Sequence, residues 1–158
     1  SVIPPYIKNF DRGLASGPIN FSEYGVQLSR SFKALRAWMA LKIEGTDKYS
    51  ELIEQNIDQA KYLTKLVNKN NSLELLSPTS LNIVNFRFNN PKLDDAQLNE
   101  INSEILMKLH ESGNSAPSSA LLDGNFSLRV AICNHRSRRS DFDDLVKDVI
   151  NIGNQLLI

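Results

Sequence analysis

The first thirty residues contain a density of proline and glycine that forbids a long helix. Their apolar residues recur with no clean period, so the segment predicts loop or extended chain. A structureless segment of this length is unusual in a self-sufficient compact domain. We therefore expect residues 1–30 to form an arm that lies on a partner or belongs to a larger body. The helix-breaking residues are Pro4, Pro5, Gly13, Gly17, Pro18 and Gly25.

A helical pair is predicted after the arm. Four apolar residues at helical spacing predict a buried stripe on a first helix, which ends at Gly45, a natural residue to follow a helix. Apolar residues at i, i+3 and i+4 spacing across residues 49–67 predict a second, longer amphipathic helix. The first stripe consists of Phe32, Leu35, Trp38 and Met39.

The remainder of the chain predicts a short, mostly antiparallel sheet covered by helices. Residues 72–77 and 82–88 are strand candidates that are close in sequence, which favours antiparallel pairing. A shorter candidate, 119–122, precedes the strongest strand, 125–133, where apolar and other residues alternate. Together with the helical pair, these strands predict an α+β domain over residues 31–158.

Two further helices are marked by their end signals. Asp94 and Gln97 have capping-box spacing at the start of a helix that ends near Gly113. Ser140 is the predicted N-cap of the last helix, whose first turn carries aspartates where the helix dipole favours negative charge.

The strand 125–133 carries the most informative polar residue. Arg129 alternates onto the same face as Ser127, Ala131 and Cys133. Small neighbours leave room for an anion to reach the guanidinium, and arginine suits bidentate carboxylate binding. Arg129 is therefore a candidate carboxylate-binding residue. The alternative is a structural ion pair with a nearby aspartate or glutamate.

Charge and composition limit the function classes. Lysine plus arginine equals aspartate plus glutamate, 18 each, so a dedicated nucleic-acid binder is not expected. The basic residues of the loop 134–139 are expected to be solvated or paired with Asp141 and Asp143. No apolar run reaches the roughly 20 residues that span a bilayer, so no membrane partner is expected. A single cysteine, Cys133, favours a reducing, cytoplasmic compartment, and no metal-site spacing occurs.

Four stretches resemble, in order, the C-terminal part of the pyridoxal-phosphate-dependent group II amino-acid decarboxylases. That family includes the aromatic amino-acid, tyrosine, histidine and glutamate decarboxylases. The resemblance covers essentially the whole chain, and its second stretch is the most specific. The stretches are PPYIKN (Pro4–Asn9), QLSRSFKALRAW (Gln27–Trp38), SLNIVNFRF (Ser80–Phe88) and FSLRVAICN (Phe126–Asn134).

The resemblance implies a fold-type-I enzyme that uses pyridoxal 5'-phosphate on an amino-acid substrate and works as an obligate homodimer. Residues 1–30 would be the active-site loop from the large domain, and residues 31–158 the small C-terminal α+β domain. The family's Schiff-base lysine follows a histidine upstream of these motifs, and none of the ten lysines here is preceded by histidine. The chain alone is therefore expected to be inactive and not to hold the cofactor covalently.

The resemblance also implies roles for individual residues. Tyr6 matches the loop tyrosine that protonates the substrate carbon after carbon dioxide leaves. Ser29 matches a position that lines the substrate side-chain pocket from the partner subunit. Arg129 matches the small-domain arginine that binds a substrate carboxylate in glutamate-type members. Arg30 matches a family arginine whose role, catalytic or structural, the resemblance leaves open.

Two other functions are compatible with these residues. One is a free-standing α+β module that binds a small carboxylate or a protein partner. The other is a different fold-type-I enzyme, such as an aldehyde synthase or a carbon–carbon lyase, because a fold does not determine a reaction.

Overall fold

The computed structural model describes residues 31–157, which contain helices and one four-stranded sheet. This agrees with the predicted α+β class. The elements in chain order are α1 (Lys33–Asn68), β1 (Leu73–Leu75), β2 (Ile83–Phe88), α2 (Asp95–Ser112), β3 (Ser118–Leu122), β4 (Asn125–Ala131) and α3 (Arg139–Gln155).

Gly45 interrupts α1. Its φ of 77° and ψ of 166° are non-helical, and glycine reaches this conformation without the clash that a Cβ would cause. The predicted helix boundary at this residue therefore corresponds to a real break in helical geometry. The chain divides after Gly45 into two units, so residues 31–45 and 46–157 are described separately.

Residues 31–45 expose the apolar stripe that was predicted to be buried. Phe32 is 72% exposed, Trp38 60%, Met39 46% and Leu35 40%. The prediction of burial is therefore wrong for the chain as described. The physical reason is that a single amphipathic helix cannot cover its own apolar stripe and needs a second layer of structure to do so.

The sheet in residues 46–157 has the strand order β1-β2-β4-β3, and every neighbouring pair is antiparallel. The predicted strand pairing of 72–77 with 82–88 is confirmed by the register of Leu73 opposite Phe88. The predicted strands 119–122 and 125–133 form a hairpin in which Leu122 lies opposite Asn125. The predicted mostly antiparallel sheet is thus confirmed.

One face of the sheet packs against the helices and forms the hydrophobic core. Val84, Phe86 and Phe88 of β2 are at most 1% exposed, as the alternation of the sequence predicts. Asn102 of α2 ties that helix to the sheet, because its side-chain amide accepts from the Phe88 N–H at 2.7 Å and donates to the Phe88 carbonyl at 2.9 Å. The helices contribute, among others, Ala60, Leu63, Val67, Ile105, Leu109 and Val149 to this core.

The helix ends agree with the sequence in α2 and differ in α3. The α2 capping box is formed by Asp94 and Gln97, and the helix ends at Gly113, whose φ is 74°. The predicted N-cap at Ser140 is wrong, because the N-cap is Arg138, two residues earlier, and α3 begins at Arg139. The Asp141 carboxylate, three residues after the cap, accepts from the N–H of the N-cap residue Arg138 at 2.9 Å, which is the contact that the N3 side chain makes in a capping box.

Candidate functional site

The face of the sheet opposite the core carries a row of polar residues across three strands. Arg129 of β4 lies directly opposite Asn85 of β2 and Ser118 of β3. Directly opposed residues of antiparallel strands point their side chains to the same face. We call these three residues the polar row. Pairing between strands therefore brings together residues that are more than forty positions apart in the sequence.

Arg129 is half-buried, and its side chain makes a single, long hydrogen bond within residues 31–157. Its Nη1 donates to the Ser118 hydroxyl at 3.4 Å, and that hydroxyl donates to the Arg129 carbonyl at 3.1 Å. No carboxylate of the described chain lies within ion-pair distance of its guanidinium. The alternative of a structural ion pair for Arg129 thus has no support from residues 31–157.

A cavity of about 310 Å³ adjoins Arg129 at the edge of the sheet, beside the start of α3. This volume is at the lower end of the range for small-molecule sites. Its polar lining includes Ser115, Ser118, Ser137 and Asp141. The Asp141 carboxylate is already engaged by the Arg138 N–H at 2.9 Å and the Ser140 hydroxyl at 3.4 Å. The guanidinium of Arg129 is therefore available to an added anion such as a carboxylate.

The cavity beside Arg129 fits a carboxylate and does not fit pyridoxal phosphate. A Schiff base requires a lysine amine, and no lysine lines this cavity. The cofactor that the family implies would have to be attached by residues outside the described part of the chain. The described part also contains no group of three histidine, cysteine or acidic side chains arranged for a metal ion.

The ion-paired arginine of this sheet face is Arg87, which the sequence analysis did not single out. It is 6% exposed. Its Nε donates to Glu74 at 2.8 Å, its Nη2 to Asp95 at 3.1 Å and its Nη1 to the Asn125 side chain at 3.0 Å. The sequence feature that could have indicated this ion pair is Glu74, which lies in β1 opposite Arg87. Each of its three guanidinium nitrogens thus donates to a side chain within the fold, so Arg87 holds the sheet face together and is a poorer candidate for binding a ligand than Arg129.

A second polar cluster joins α1 to the start of α3. The Tyr62 hydroxyl donates to Asp143 Oδ1 at 2.7 Å, and the Arg139 guanidinium lies 5.2 Å from the centre of the Tyr62 ring. The hydrogen bond to Asp143 is the largest of the effects that raise the pKa of Tyr62, because the aspartate stabilises the protonated phenol. The basic loop is thus engaged in part, with Arg139 on an aromatic ring instead of on an aspartate.

Two candidate residues lie outside the described residues. Tyr6 and Ser29, and also Arg30, precede Ser31, so their placement relative to Arg129 stays a prediction. Within the described range, no helix is long and apolar enough to cross a bilayer. Cys133 is exposed and not disulfide-bonded.

The sequence profile of the pyridoxal-dependent decarboxylase conserved domain matches residues 2–89. The chain belongs to the pyridoxal-dependent decarboxylase family. The family assignment confirms the resemblance that the four stretches indicate, and it confirms pyridoxal phosphate as the cofactor of that family. In this decarboxylase-family chain the match ends just after β2, so Arg129 lies beyond the matched residues.

Known proteins similar to this decarboxylase-family chain are longer than it is. An aromatic-L-amino-acid decarboxylase of Bacillus atrophaeus is 27% identical over 99% of this chain, which corresponds to 33% of that protein. A phenylacetaldehyde synthase of Petunia hybrida is 27% identical over 72% of this chain and 24% of that protein. The chain therefore spans about a third or less of the length of these relatives.

The fold is shared with solved structures. A crystal structure of Oryza sativa TDC with PLP and tryptamine superposes with a TM-score of 0.77 at 20% identity, over 88% of this chain and 30% of the other. This likeness establishes the fold. The expected fold class, the small α+β part of a fold-type-I enzyme, is confirmed.

Proposed function

We propose that this chain is the C-terminal portion of a pyridoxal-phosphate-dependent L-amino-acid decarboxylase, a carboxy-lyase that converts an amino acid to an amine and carbon dioxide. The single observation that carries the proposal is Arg129, a half-buried guanidinium beside a cavity with no carboxylate partner within residues 31–157. In a chain of this family, such a cation is suited to a substrate carboxylate.

The contribution of the described residues is to bind and orient the substrate. The planar guanidinium of Arg129 presents parallel N–H donors that match the two oxygens of a carboxylate. Ser118 restrains the guanidinium through Nη1 and is itself held by the Arg129 carbonyl. The cofactor, attached elsewhere in the polypeptide, supplies an electron sink for decarboxylation.

We assign the remaining roles to residues 1–30. Tyr6 acts as the general acid that gives a proton to the carbon from which carbon dioxide has left. Ser29 lines the substrate side-chain pocket of the partner subunit, so the proposal includes a homodimer with shared active sites. The enzyme acts in the cytoplasm, where its free cysteine, Cys133, stays reduced.

An aldehyde synthase is the second candidate function. The likeness to the Petunia hybrida phenylacetaldehyde synthase, 27% identical over 72% of this chain, supports it. Aldehyde formation also consumes dioxygen as the oxidant and releases ammonia and hydrogen peroxide, whereas amine formation needs no oxidant, so the products distinguish the two reactions. A free-standing carboxylate-binding module is the third possibility, and it has neither activity.

The test is an activity screen on the complete natural polypeptide, expressed from its gene with all of its coding sequence. The purified protein is incubated with pyridoxal phosphate and each of the common amino acids in turn. Carbon dioxide, amine and aldehyde are then quantified. We expect equal amounts of amine and carbon dioxide from at least one amino acid. Aldehyde in place of amine would favour the second candidate, and no carbon dioxide from any amino acid would refute both.

Arg129 is tested in the same polypeptide by comparing Arg129→Ala with Arg136→Ala. Arg136 is an exposed loop arginine whose side chain has no hydrogen bond within the described residues. Loss of a charge-assisted pair of hydrogen bonds should raise KM roughly 10- to 100-fold in Arg129→Ala. Cofactor affinity should not change, and Arg136→Ala should behave as the wild type. Equal KM values for the two variants would exclude the carboxylate role.

A further inference from the structure

We propose that Asn85 is a positioning residue for Arg129. The inference rests on the proposed substrate-carboxylate role of Arg129, which it extends to a residue on a different strand. Asn85 lies directly opposite Arg129 in the β2–β4 register, as Ser118 does on the β3 side. Arg129 is therefore flanked within the sheet by one polar side chain on each neighbouring strand.

The side chain of Asn85 is anchored at one end only. Its Nδ2 donates to the Ser77 hydroxyl at 3.2 Å, and its backbone carbonyl accepts from the Leu76 N–H at 3.0 Å. Its Oδ1 is buried and has no hydrogen-bond partner among the described residues. The hydrogen bond from Nδ2 fixes the orientation of the amide and leaves Oδ1 as an acceptor without a donor.

A buried acceptor without a donor is unfavourable, and such atoms in folded proteins call for a physical explanation. Arg129, the residue opposite Asn85 on the neighbouring strand, supplies such an explanation. Arg129 has five guanidinium N–H donors, and within residues 31–157 only Nη1 has a partner, at the long distance of 3.4 Å. The acceptor that lacks a donor and the donors that lack acceptors thus occupy adjacent register positions.

The geometry favours an action through Arg129 over direct contact with the ligand. Arg129 lines the cavity, whereas Asn85 does not. The open Oδ1 is also shielded from solvent, so a ligand in the cavity does not meet it. When a carboxylate draws the guanidinium into place, Asn85 accepts a hydrogen bond on one side while Ser118 restrains the other. The two contacts hold the guanidinium plane in the orientation that bidentate binding requires.

The test uses the complete natural polypeptide with pyridoxal phosphate bound, and two variants at position 85. Asn85→Leu removes the acceptor at nearly constant size. Asn85→Asp keeps an acceptor at Oδ1 and replaces the Nδ2 donation to the Ser77 hydroxyl by a bond accepted from that hydroxyl, but its charge competes with the ligand for Arg129. Asn151→Leu, at an exposed position of α3, is the control. Thermal unfolding verifies that each variant is folded.

The first readout is calorimetric titration with propionate, which reports carboxylate binding independently of catalysis. Asn85→Leu should bind propionate roughly tenfold more weakly than the wild type, because a hydrogen bond to a charged group is lost. Asn85→Asp should bind more weakly still, whereas a mere packing role would make this conservative variant the milder one. In an Arg129→Ala background, Asn85→Leu should have no further effect.

The second readout is steady-state kinetics on whichever amino acid the wild type decarboxylates. KM should rise in Asn85→Leu by the same factor as the propionate Kd, while kcat stays within about twofold. If decarboxylation proceeds and Asn85→Leu keeps the wild-type KM, the proposed function stands and the positioning role is overturned.

If no amino acid is decarboxylated, the proposed function fails. The propionate titration alone then decides whether Asn85 positions Arg129. Arg129-dependent binding that weakens in Asn85→Leu would support the pairing. Wild-type affinity in Asn85→Leu, a loss that persists without Arg129, or no propionate binding by the wild type would each overturn it.

Discussion

Arg87 and Arg129, two arginines on one sheet face, differ in what surrounds their guanidinium groups. Arg87 meets two carboxylates and an amide, so its donors are consumed inside the fold. Arg129 meets one serine hydroxyl among the described residues. The difference in partners, and not in residue type or strand position, makes one arginine structural and the other a candidate ligand-binding group.

At the residue scale, Arg87→Met should lower the free energy of unfolding by about 2 kcal/mol. The change leaves Glu74, Asp95 and Asn125 without their common donor. The cost stays below that of a fully buried pair because Glu74 and Asp95 are 40% and 72% exposed and become hydrated. Urea denaturation of the full polypeptide measures it. Arg136→Ala should stay within about 0.5 kcal/mol of the wild type, and a similar value for Arg87→Met would contradict the structural role.

The sequence predicted part of the polar row. Alternation placed Arg129 among small side chains, which was enough to select it as a candidate. Asn85 and Ser118 were not found, because strand register decides which residues face Arg129 and no local pattern encodes it. The same limitation explains why the alternative of an ion pair was considered at Arg129 and not at Arg87, since the Glu74–Arg87 contact forms only when β1 pairs with β2.

At the scale of elements, the predicted helices and strands were mostly correct where local signals were strong. The capping box and Gly113 bounded α2, and alternation located β2 and β4. Ser140 failed as a cap because α3 begins at Arg139, so Ser140 lies inside the first turn, and the Asp141 carboxylate accepts from the N–H of the N-cap residue Arg138. The close contact between α3 and β2 had no sequence signal, since it depends on the three-dimensional path of the chain.

Gly153 of α3 is the position at which the close contact between α3 and β2 is tested. A Cβ there would lie 2.5 Å from Cδ2 of the buried Phe88 ring. Gly153→Ala should therefore destabilise the fold by about 1–2 kcal/mol by overpacking, even though alanine favours helices. Asn151→Ala, on an exposed position of the same helix, is the control. Adding Phe88→Leu should relieve part of the cost, and strictly additive effects in chemical denaturation would disprove the steric explanation.

The contact between α1 and α3 through Tyr62 and Asp143 predicts a loss of stability at alkaline pH. The folded state raises the pKa of Tyr62, mainly through the hydrogen bond to Asp143. A raised pKa contributes stability that is complete below the unfolded tyrosine pKa of about 10. That contribution is lost as pH rises above this value through the folded pKa. Denaturation between pH 8 and pH 12 should show the loss in the wild type and not in Tyr62→Phe. Identical pH profiles would show that the hydrogen bond has no energetic effect.

At the scale of the whole molecule, the described residues are in our proposal a substrate-binding part, and no lysine that could attach the cofactor lines their cavity. The exposed apolar stripe of residues 31–45 and the greater length of the relatives both support the proposal that this part belongs to a larger enzyme. A sequence motif indicates membership in a larger enzyme better than the local hydrophobic pattern does. The pattern of residues 31–45 correctly predicted an amphipathic helix, but it wrongly predicted that the apolar stripe is buried.

The last prediction concerns proton delivery in that larger enzyme. Tyr6→Phe removes the phenol proton and keeps the ring, so carbon dioxide release should continue while protonation of the substrate carbon slows. The ratio of amine to carbon dioxide, near one in the wild type, should fall well below one, with cofactor affinity unchanged. Tyr49→Phe is the matched control and should keep the wild-type ratio. Because aldehyde synthases are among the relatives, the missing amine should be sought as aldehyde and ammonia in reactions supplied with dioxygen as the oxidant. An unchanged ratio in Tyr6→Phe would assign the proton donor to another residue, and the loop would then serve only to close the site.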